Sequence, residues 1–258
     1  MRILFIGDIV GQPARNTLKR CIPELKYDLK FDICIANAEN AAGGSGISSK
    51  VAEELFEMGI DVLTSGDHVW RNKEIFSIIN KTDRIIRPAN YPDSSPGYGS
   101  CVINTNRGVS IGVINLLGRV FMNPIDSPFT AVMKEIDKIK SRAKIIIVDF
   151  HAEATSEKIA MGWYLDGKVS AVLGTHTHVP TADFKILPNG TAYISDVGMV
   201  GAKNSVLGRD IEPVVRHFVN GLPQRFTVAD GDISVQGVLI DIDEKTGIAT
   251  RIDRVDCD

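Results

Sequence analysis

Short apolar runs, each followed directly by polar residues, recur along most of the chain. They cover residues 3–6, 33–36, 62–63, 145–148 and 171–173. Runs of this length, rich in β-branched residues, predict buried strands. Helix-like segments at residues 13–26, 49–58 and 73–80 follow the first three runs. Strands that alternate with helices in this way predict parallel pairing with right-handed crossover connections.

The pattern changes in the second part of the chain. Residues 99–104 and 109–115 predict an antiparallel hairpin, and a helix is expected at residues 129–139. Beyond Pro180, an Asn189-Gly190 turn signal, a short helix at residues 212–219 and strands at residues 226–229, 233–242 and 248–255 indicate mostly β structure. We find no repeat, low-complexity tract or linker. The sequence therefore predicts one domain over residues 1–258, of the α/β class, built as a two-sheet β-sandwich flanked by helices.

Each of the five apolar runs leads into a group of oxygen or nitrogen donors. The groups are Gly7-Asp8, Asn37-Ala38-Glu39-Asn40, Gly66-Asp67-His68, His151-Ala152-Glu153 and Gly174-Thr175-His176-Thr177-His178. In open α/β sheets ligands bind at the carboxyl ends of the strands, so these groups are expected to converge on one rim. Carboxylate, amide and imidazole donors suit divalent metals. The convergence predicts a two-metal hydrolase.

Taken singly, several of these donors have ordinary explanations. Asp8 also fits a helix cap or a turn, and His151 also fits a buried core histidine. Glu39 and Asn40 also fit a polar loop. The ordered combination after five strands favours the metal site over these explanations.

The histidines differ in the role that their spacing suggests. His176 and His178 give the sharpest signal, because in an extended backbone residues two apart face the same side. His68 directly follows a candidate ligand, Asp67, which suits an acid beside the metals rather than a ligand. His217 lies in a separate helical segment and receives no role.

The composition of the chain indicates what class of protein it is and which partners it can bind. The 258 residues include 44% hydrophobic and 24% charged residues, which is typical of a soluble globular protein, expected in the cytoplasm. A net charge of −3 provides no basic face for duplex nucleic acid, although bound cations could still attract an anionic substrate. No apolar run approaches the ~18 residues that suggest a membrane span. The four cysteines show no metal-ligand spacing and favour incidental reduced thiols.

These motifs, in this order, resemble the calcineurin-like metallophosphoesterase superfamily. The sequences of the motifs are most similar to those of its YmdB-type branch, and the resemblance spans essentially the whole chain. The matching segments are residues 1–8, Asn37 to Ala42, Arg87 to Asn90, His151 to Lys158, Gly174 to Val179 and Asp196 to Met199.

The resemblance implies a bacterial-type binuclear phosphodiesterase with an αββα fold that opens cyclic nucleotides of the 2′,3′-cAMP type by attack of a metal-bridging hydroxide. Iron or manganese are the metals expected first, and magnesium or zinc are alternatives. By motif position, His68 would be the catalytic histidine and Glu39 would bridge the metals. One metal would bind Asp8, Asn40 and His178, and the other would bind Asp67, His151 and His176. A homo-oligomer is compatible with the sequence.

The chain departs from the superfamily pattern at two places. The usual Asp-x-His opening is Asp8-Ile9-Val10 here, and Asn40 is expected to substitute for the missing histidine. The family's Gly-Asn-His is Gly66-Asp67-His68, which keeps a ligating oxygen but adds a negative charge.

Two other functions remain open from the sequence: a broad phosphomonoesterase or nucleotidase, and a metal- or nucleotide-binding regulator with vestigial catalysis. Substrate-binding residues are not assigned. The loop at residues 43–46 and Arg87, Asn90 or Arg119 are candidates, but a turn or a surface charge explains each of them equally well.

Overall fold

Strands that are apolar at every position need a hydrophobic layer on each face of their sheet. The computed structural model, which describes residues 1–257, provides these layers with two sheets packed face to face and helices on both outer surfaces. Within these residues the strands are β1 (Arg2–Ile6), β2 (Asp8–Ile9), β3 (Ile33–Asn37), β4 (Val62–Thr64), β5 (Ser100–Asn104), β6 (Ser110–Leu117), β7 (Ile145–His151), β8 (Ala171–Thr175), β9 (Lys185–Ile186), β10 (Ala192–Ile194), β11 (Met199–Ala202), β12 (Ile233–Ile242) and β13 (Ala249–Cys257). The helices are α1 (Gly11–Leu29), α2 (Ser49–Glu57), α3 (Pro128–Ile139), α4 (Thr155–Leu165) and α5 (Ile211–Asn220), with a 3₁₀-helix at Lys73–Ser77.

Each sheet combines a block of parallel strands with antiparallel neighbours. The first has the order β2-β11-β12-β1-β3-β4, and β13 pairs with β12. The second has the order β5-β6-β7-β8-β10-β9. Strands β1, β3 and β4 are parallel, as are β6, β7, β8 and β10. The parallel pairing predicted from the strand–helix alternation is therefore confirmed, as are the hairpins β5–β6 and β9–β10.

Strand β1 shows how alternation builds the layers. Ile3 and Phe5 point into the core between the two sheets, together with residues of β7 and β8. Leu4 and Ile6 point the other way, into the core that α1 and α2 cover. A third apolar cluster packs α3 and α4 on the outer face of the second sheet. The predicted fold class, a two-sheet sandwich flanked by helices, is confirmed.

Three local predictions were wrong or incomplete. The helix expected at residues 73–80 is the 3₁₀-helix, because Ile75 and Ile79 supply buried anchors for only about one turn. Residues 226–229 form no strand, since their pairing is limited to one isolated bridge between Val228 and Arg209. Helix α4 was not predicted at all. No described helix combines the length and the apolar character that a membrane span requires.

Candidate metal centre

The carboxyl ends of parallel strands from both sheets lie at one edge of the sandwich. In the first sheet, Asn37, the last residue of β3, pairs in register with Thr64, the last residue of β4. In the second sheet, His151 ends β7 and is level with Thr175 at the end of β8. Asn37 donates a 3.0 Å hydrogen bond to Asp149 of β7, which ties the two edges together. The residues after these strands therefore meet in one place.

One half of the centre gathers four donors from both sheets. Ligating atoms of Glu39, Asp67, His151 and His176 all lie within 4.8 Å of one another. The His151 Nε2 atom is 3.2 Å from Glu39 Oε1 and 3.5 Å from Asp67 Oδ1. The His176 Nδ1 atom is 3.0 Å from that same His151 nitrogen. Two imidazoles and two carboxylates at these separations can ligate one cation.

The other half adjoins the same carboxylate oxygen of Glu39. His178 Nε2 is 3.8 Å from Asp8 Oδ1 and 3.3 Å from Asn40 Nδ2. The same amide nitrogen of Asn40 is 3.1 Å from Glu39 Oε1. Asn40 thus presents its nitrogen to the centre and its oxygen to His68, and the amide must turn over to ligate a cation through oxygen. The structure brings all seven predicted donors together in two sets that share Glu39.

The backbone conformation that directs His176 and His178 to the centre was not indicated by the sequence. Both have left-handed backbones, with φ of 99° and 63°, so the expectation of an extended segment was wrong. Thr177 between them is held by Asp196 Oδ2, which accepts from its amide at 3.0 Å and from its hydroxyl at 2.7 Å. The buried Lys158 pairs with that carboxylate at 2.8 Å. The turn therefore points each imidazole at a different half of the centre.

A buried hydrogen-bond chain orients His151. Its Nδ1 atom is 2.8 Å from Thr175 Oγ1, and that hydroxyl donates to Asp149 Oδ1 at 2.7 Å. Because the hydroxyl proton goes to Asp149, His151 Nδ1 is the donor to Thr175, and Nε2 is left free to face the carboxylates. Sequence reasoning missed Asp149 and Thr175, although both stand next to predicted donors at the ends of β7 and β8.

The other two imidazoles are held in the same manner. His176 Nε2 is 3.1 Å from Glu153 Oε2, which turns Nδ1 toward Asp67. His178 Nδ1 donates to the Leu207 carbonyl at 3.0 Å, which turns Nε2 toward Asp8. Such outer partners fix the tautomer and the ring orientation of metal-binding histidines.

His68 stands at the edge of this arrangement. Its amide donates to Glu39 Oε2 at 3.0 Å, and its Nδ1 atom is 2.9 Å from Asn40 Oδ1. Its Nε2 atom is 3.7 Å from Asp67 Oδ2, and about 30% of its side chain is exposed. His68 therefore lies beside the donors with Nε2 facing Asp67, and its catalytic role stays a prediction.

Two carboxylate oxygens show that the arrangement fits cations. Asp8 Oδ1 and Asp67 Oδ1 are buried and accept no hydrogen bond from the described residues. One lies in each half of the centre. Burial raises the pKa of Asp8 to about 7, so its ionised form needs compensating charge. A buried acceptor without a partner costs about 1–3 kcal/mol, which a cation at that oxygen would offset.

Gly66 permits the close approach of the donors. A Cβ atom at this position would lie 2.3 Å from Glu39 Oε2 and 2.4 Å from His151 Nε2. Any other residue would displace the carboxylate or the imidazole from the centre. The glycine before Asp67 is thus part of the geometry of the site.

Two of the candidate substrate contacts have structural roles instead. The Arg87 guanidinium donates to backbone carbonyls of Pro88, Ser95 and Pro96. The Asn90 side chain bonds both backbone groups of Leu117. His217, which was given no role, packs edge-on against Phe226 with ring centroids 5.7 Å apart.

Comparisons with known proteins agree over almost the full length. The family model for YmdB-like protein matches residues 4–255. A Bacillus subtilis (strain 168) protein, named 2′,3′-cyclic-nucleotide 2′-phosphodiesterase, is 49% identical over 99% of this chain and 96% of its own. A Mycoplasma pneumoniae protein, named putative phosphatase/phosphodiesterase, is 40% identical over 95% of this chain and 89% of its own.

Two crystal structures have the same fold. A hypothetical protein from Thermus thermophilus superimposes with a TM-score of 0.93 at 38% identity, covering 100% of this chain and 99% of that one. A structure described as a novel phosphatase from Mycoplasma pneumoniae gives a TM-score of 0.93 at 36% identity, covering 100% of this chain and 93% of that one.

Proposed function

We propose that this chain, which belongs to the YmdB-like protein family, is a binuclear metal-dependent phosphodiesterase that hydrolyses cyclic nucleotides of the 2′,3′-cAMP type. The observation that carries the proposal is the pair of unpaired carboxylate oxygens, Asp8 Oδ1 and Asp67 Oδ1, one in each half of a donor set that shares Glu39. The names of the Bacillus and Mycoplasma relatives support the enzyme class. We extend the proposal to residues 1–258 acting as one domain.

In this proposal each half of the centre would hold one cation. Asp8, Asn40 and His178 would hold one, Asp67, His151 and His176 would hold the other, and Glu39 would contribute to both. The mixture of imidazole, carboxylate and amide donors suits iron or manganese, and also zinc or magnesium. Bound in this way, two divalent ions supply Lewis acidity to the phosphate and lower the pKa of a coordinated water.

The protein contributes orientation and a proton. Water adds to phosphorus and releases one proton, and one ester P–O bond breaks. The departing ribose oxygen takes a proton from His68 Nε2, and the proton released by the water restores it. The Asn40 side-chain amide lies 2.9 Å from His68 Nδ1, and its nitrogen would face that atom once its oxygen turns to a cation. His68 Nε2 is then left directed at the cavity beside Asp67. The product is an open nucleoside monophosphate.

The test is an assay of the purified, metal-free protein reconstituted with Mn²⁺ or Fe²⁺. The substrates are 2′,3′-cAMP, 3′,5′-cAMP, bis(nitrophenyl) phosphate and nitrophenyl phosphate. The proposal expects metal-dependent hydrolysis of the diesters, with 2′,3′-cAMP preferred. Turnover of the monoester above all the diesters would favour a phosphatase, the alternative that two relatives' names suggest. Binding of nucleotides without turnover of any ester would indicate a regulator.

A further inference from the structure

Four of the seven donors of the metal centre, together with His68, form the floor of a larger cavity. The cavity encloses about 580 Å³. Its floor is polar and consists of Glu39, Asn40, His68, His176 and His178. Its wall is apolar and consists of Val179, Val206, Leu207, Val214, Phe218 and Phe226. One continuous space thus joins the metal centre to an aliphatic and aromatic surface.

The wall is fixed to the floor by the backbone of Leu207. This residue has a left-handed backbone, with φ of 54°, and its carbonyl accepts the hydrogen bond from His178 Nδ1. The same residue therefore orients a donor of the centre and contributes its side chain to the wall. Helix α5 adds Val214 and Phe218, which are four residues apart and so share a helix face.

Two aromatic rings of the wall are open to solvent. Phe218 is 81% exposed and Phe226 is 40% exposed. The ring of His217 lies 5.7 Å from each of them, edge-on, and holds Phe226 against α5. Exposed aromatic rings that line a cavity beside a catalytic centre are a common platform for a flat ligand.

We propose that this wall is the nucleobase subsite of the enzyme and that it binds the base by stacking on Phe218 and Phe226. The inference rests on the proposed function. A phosphate bound at the metal centre places the rest of a nucleotide in the same cavity, and the volume is in the range of small-molecule sites. Aromatic side chains stack on the faces of nucleic-acid bases and tolerate any base.

The polar groups around the wall explain why stacking, rather than reading of the base edge, is inferred. Among the lining residues that the structure describes, the polar ones outside the floor are Glu153, Thr177 and Arg209. Each already has a partner: Glu153 bonds a histidine of the floor, Thr177 bonds Asp196, and Arg209 bonds the carbonyl of Gly44. Because these bonds engage each of the three side chains elsewhere, we infer that stacking is the main contact with the base. Purines should be favoured over pyrimidines by ring area, with adenine and guanine nearly equivalent.

Other apolar residues of α5 provide a matched control. Val219 is 80% exposed, follows Phe218 directly and lies outside the cavity lining. Replacement of Val219 by Ala removes exposed apolar surface from the same helix without touching the wall. Any effect of the helix on folding or self-association should appear in both variants.

The experiment compares kcat/KM for 2′,3′-cAMP, 2′,3′-cGMP and 2′,3′-cCMP with that for ribose 2′,3′-cyclic phosphate, which has no base. The enzymes are the Mn²⁺-loaded wild type, Phe218→Ala, Phe226→Ala, Phe218→Trp and Val219→Ala. In the wild type the base-containing substrates should be preferred. Phe218→Ala should lower the ratio of 2′,3′-cAMP to the abasic substrate about 5- to 100-fold, mainly through KM. Phe218→Trp should restore the ratio, and Val219→Ala should match the wild type.

The outcomes separate this inference from the function on which it rests. If the wild type hydrolyses the abasic substrate as well as 2′,3′-cAMP, or if both Phe→Ala variants keep the wild-type ratio, the subsite is refuted while the phosphodiesterase stands. If Phe218→Ala changes only the oligomeric state on gel filtration, the wall is a self-association face and the subsite is again refuted. If the wild type hydrolyses none of these diesters, the proposed function fails and the subsite fails with it.

Discussion

Replacement of Thr175 by Val removes one hydroxyl from the chain that orients His151. The two side chains have nearly the same shape, and Thr175, Asp149 and His151 are all fully buried. The hydroxyl donates to Asp149 Oδ1 at 2.7 Å and is 2.8 Å from His151 Nδ1. Valine leaves both atoms without this partner. At about 1–3 kcal/mol for each of these two buried unsatisfied groups, we expect a loss of about 2–6 kcal/mol in the free energy of unfolding.

The variant should also bind metal more weakly, because His151 loses the bond that fixes its tautomer. Loss of such an outer partner typically lowers metal affinity about 10- to 100-fold. Calorimetric titration of the metal-free protein with Mn²⁺ measures the affinity, and thermal unfolding measures the stability. Thr175→Ser keeps the hydroxyl and should retain nearly wild-type affinity.

Thr191 offers the control for a general effect of losing a buried threonine hydroxyl. It is fully buried, donates to the Val169 carbonyl at 2.7 Å and precedes β10 at the amino-terminal end of the parallel strands, opposite to the centre. Thr191→Val should lower stability and leave Mn²⁺ affinity unchanged. If Thr175→Val binds Mn²⁺ as tightly as the wild type, or if Thr191→Val weakens binding equally, the orienting role of the chain is refuted.

Two further substitutions test the charge and the proton donor of the site. Asp67→Asn removes one of the three negative charges of Asp8, Glu39 and Asp67, so the charge of two divalent cations would be less neutralised. With Mn²⁺ as the only metal, activity toward 2′,3′-cAMP should rise and the pH optimum should fall. Loss of activity or of metal would refute this electrostatic account. His68→Ala should lower kcat about 10²- to 10⁴-fold, the range for a general acid, with metal content unchanged by elemental analysis. Loss of metal from the His68 variant would show that this residue is a ligand.

Much of the centre was predictable because parallel strands bring their carboxyl ends to one edge. Asp8, Glu39, Asp67 and His151 each lie at or just after such an end, and the structure brings them together as the alternation predicted. The resemblance to the YmdB-type branch is confirmed over residues 4–255. The roles of these side chains as metal ligands remain a prediction.

What the sequence did not show depends on contacts between distant segments. The left-handed backbones at His176 and His178 accompany the hydrogen bonds from Thr177 to the Asp196 carboxylate, and no local sequence pattern indicates these bonds. The wall of the cavity likewise forms only when α5 and the segment that carries Phe226 fold against the floor. In the sequence, the residues of the wall look like ordinary exposed positions, and His176 and His178 look like residues that follow a strand.

The most direct test of the account is the number of metal ions that the protein binds. Elemental analysis of gently purified protein, together with Mn²⁺ titration of the metal-free form, should give nearly two ions per chain. His178→Ala should lower this to about one, since it alters only the half of the centre that contains Asp8 and Asn40. One ion per chain in the wild type, or full phosphodiesterase activity in metal-free protein in the presence of a chelator, would contradict the account.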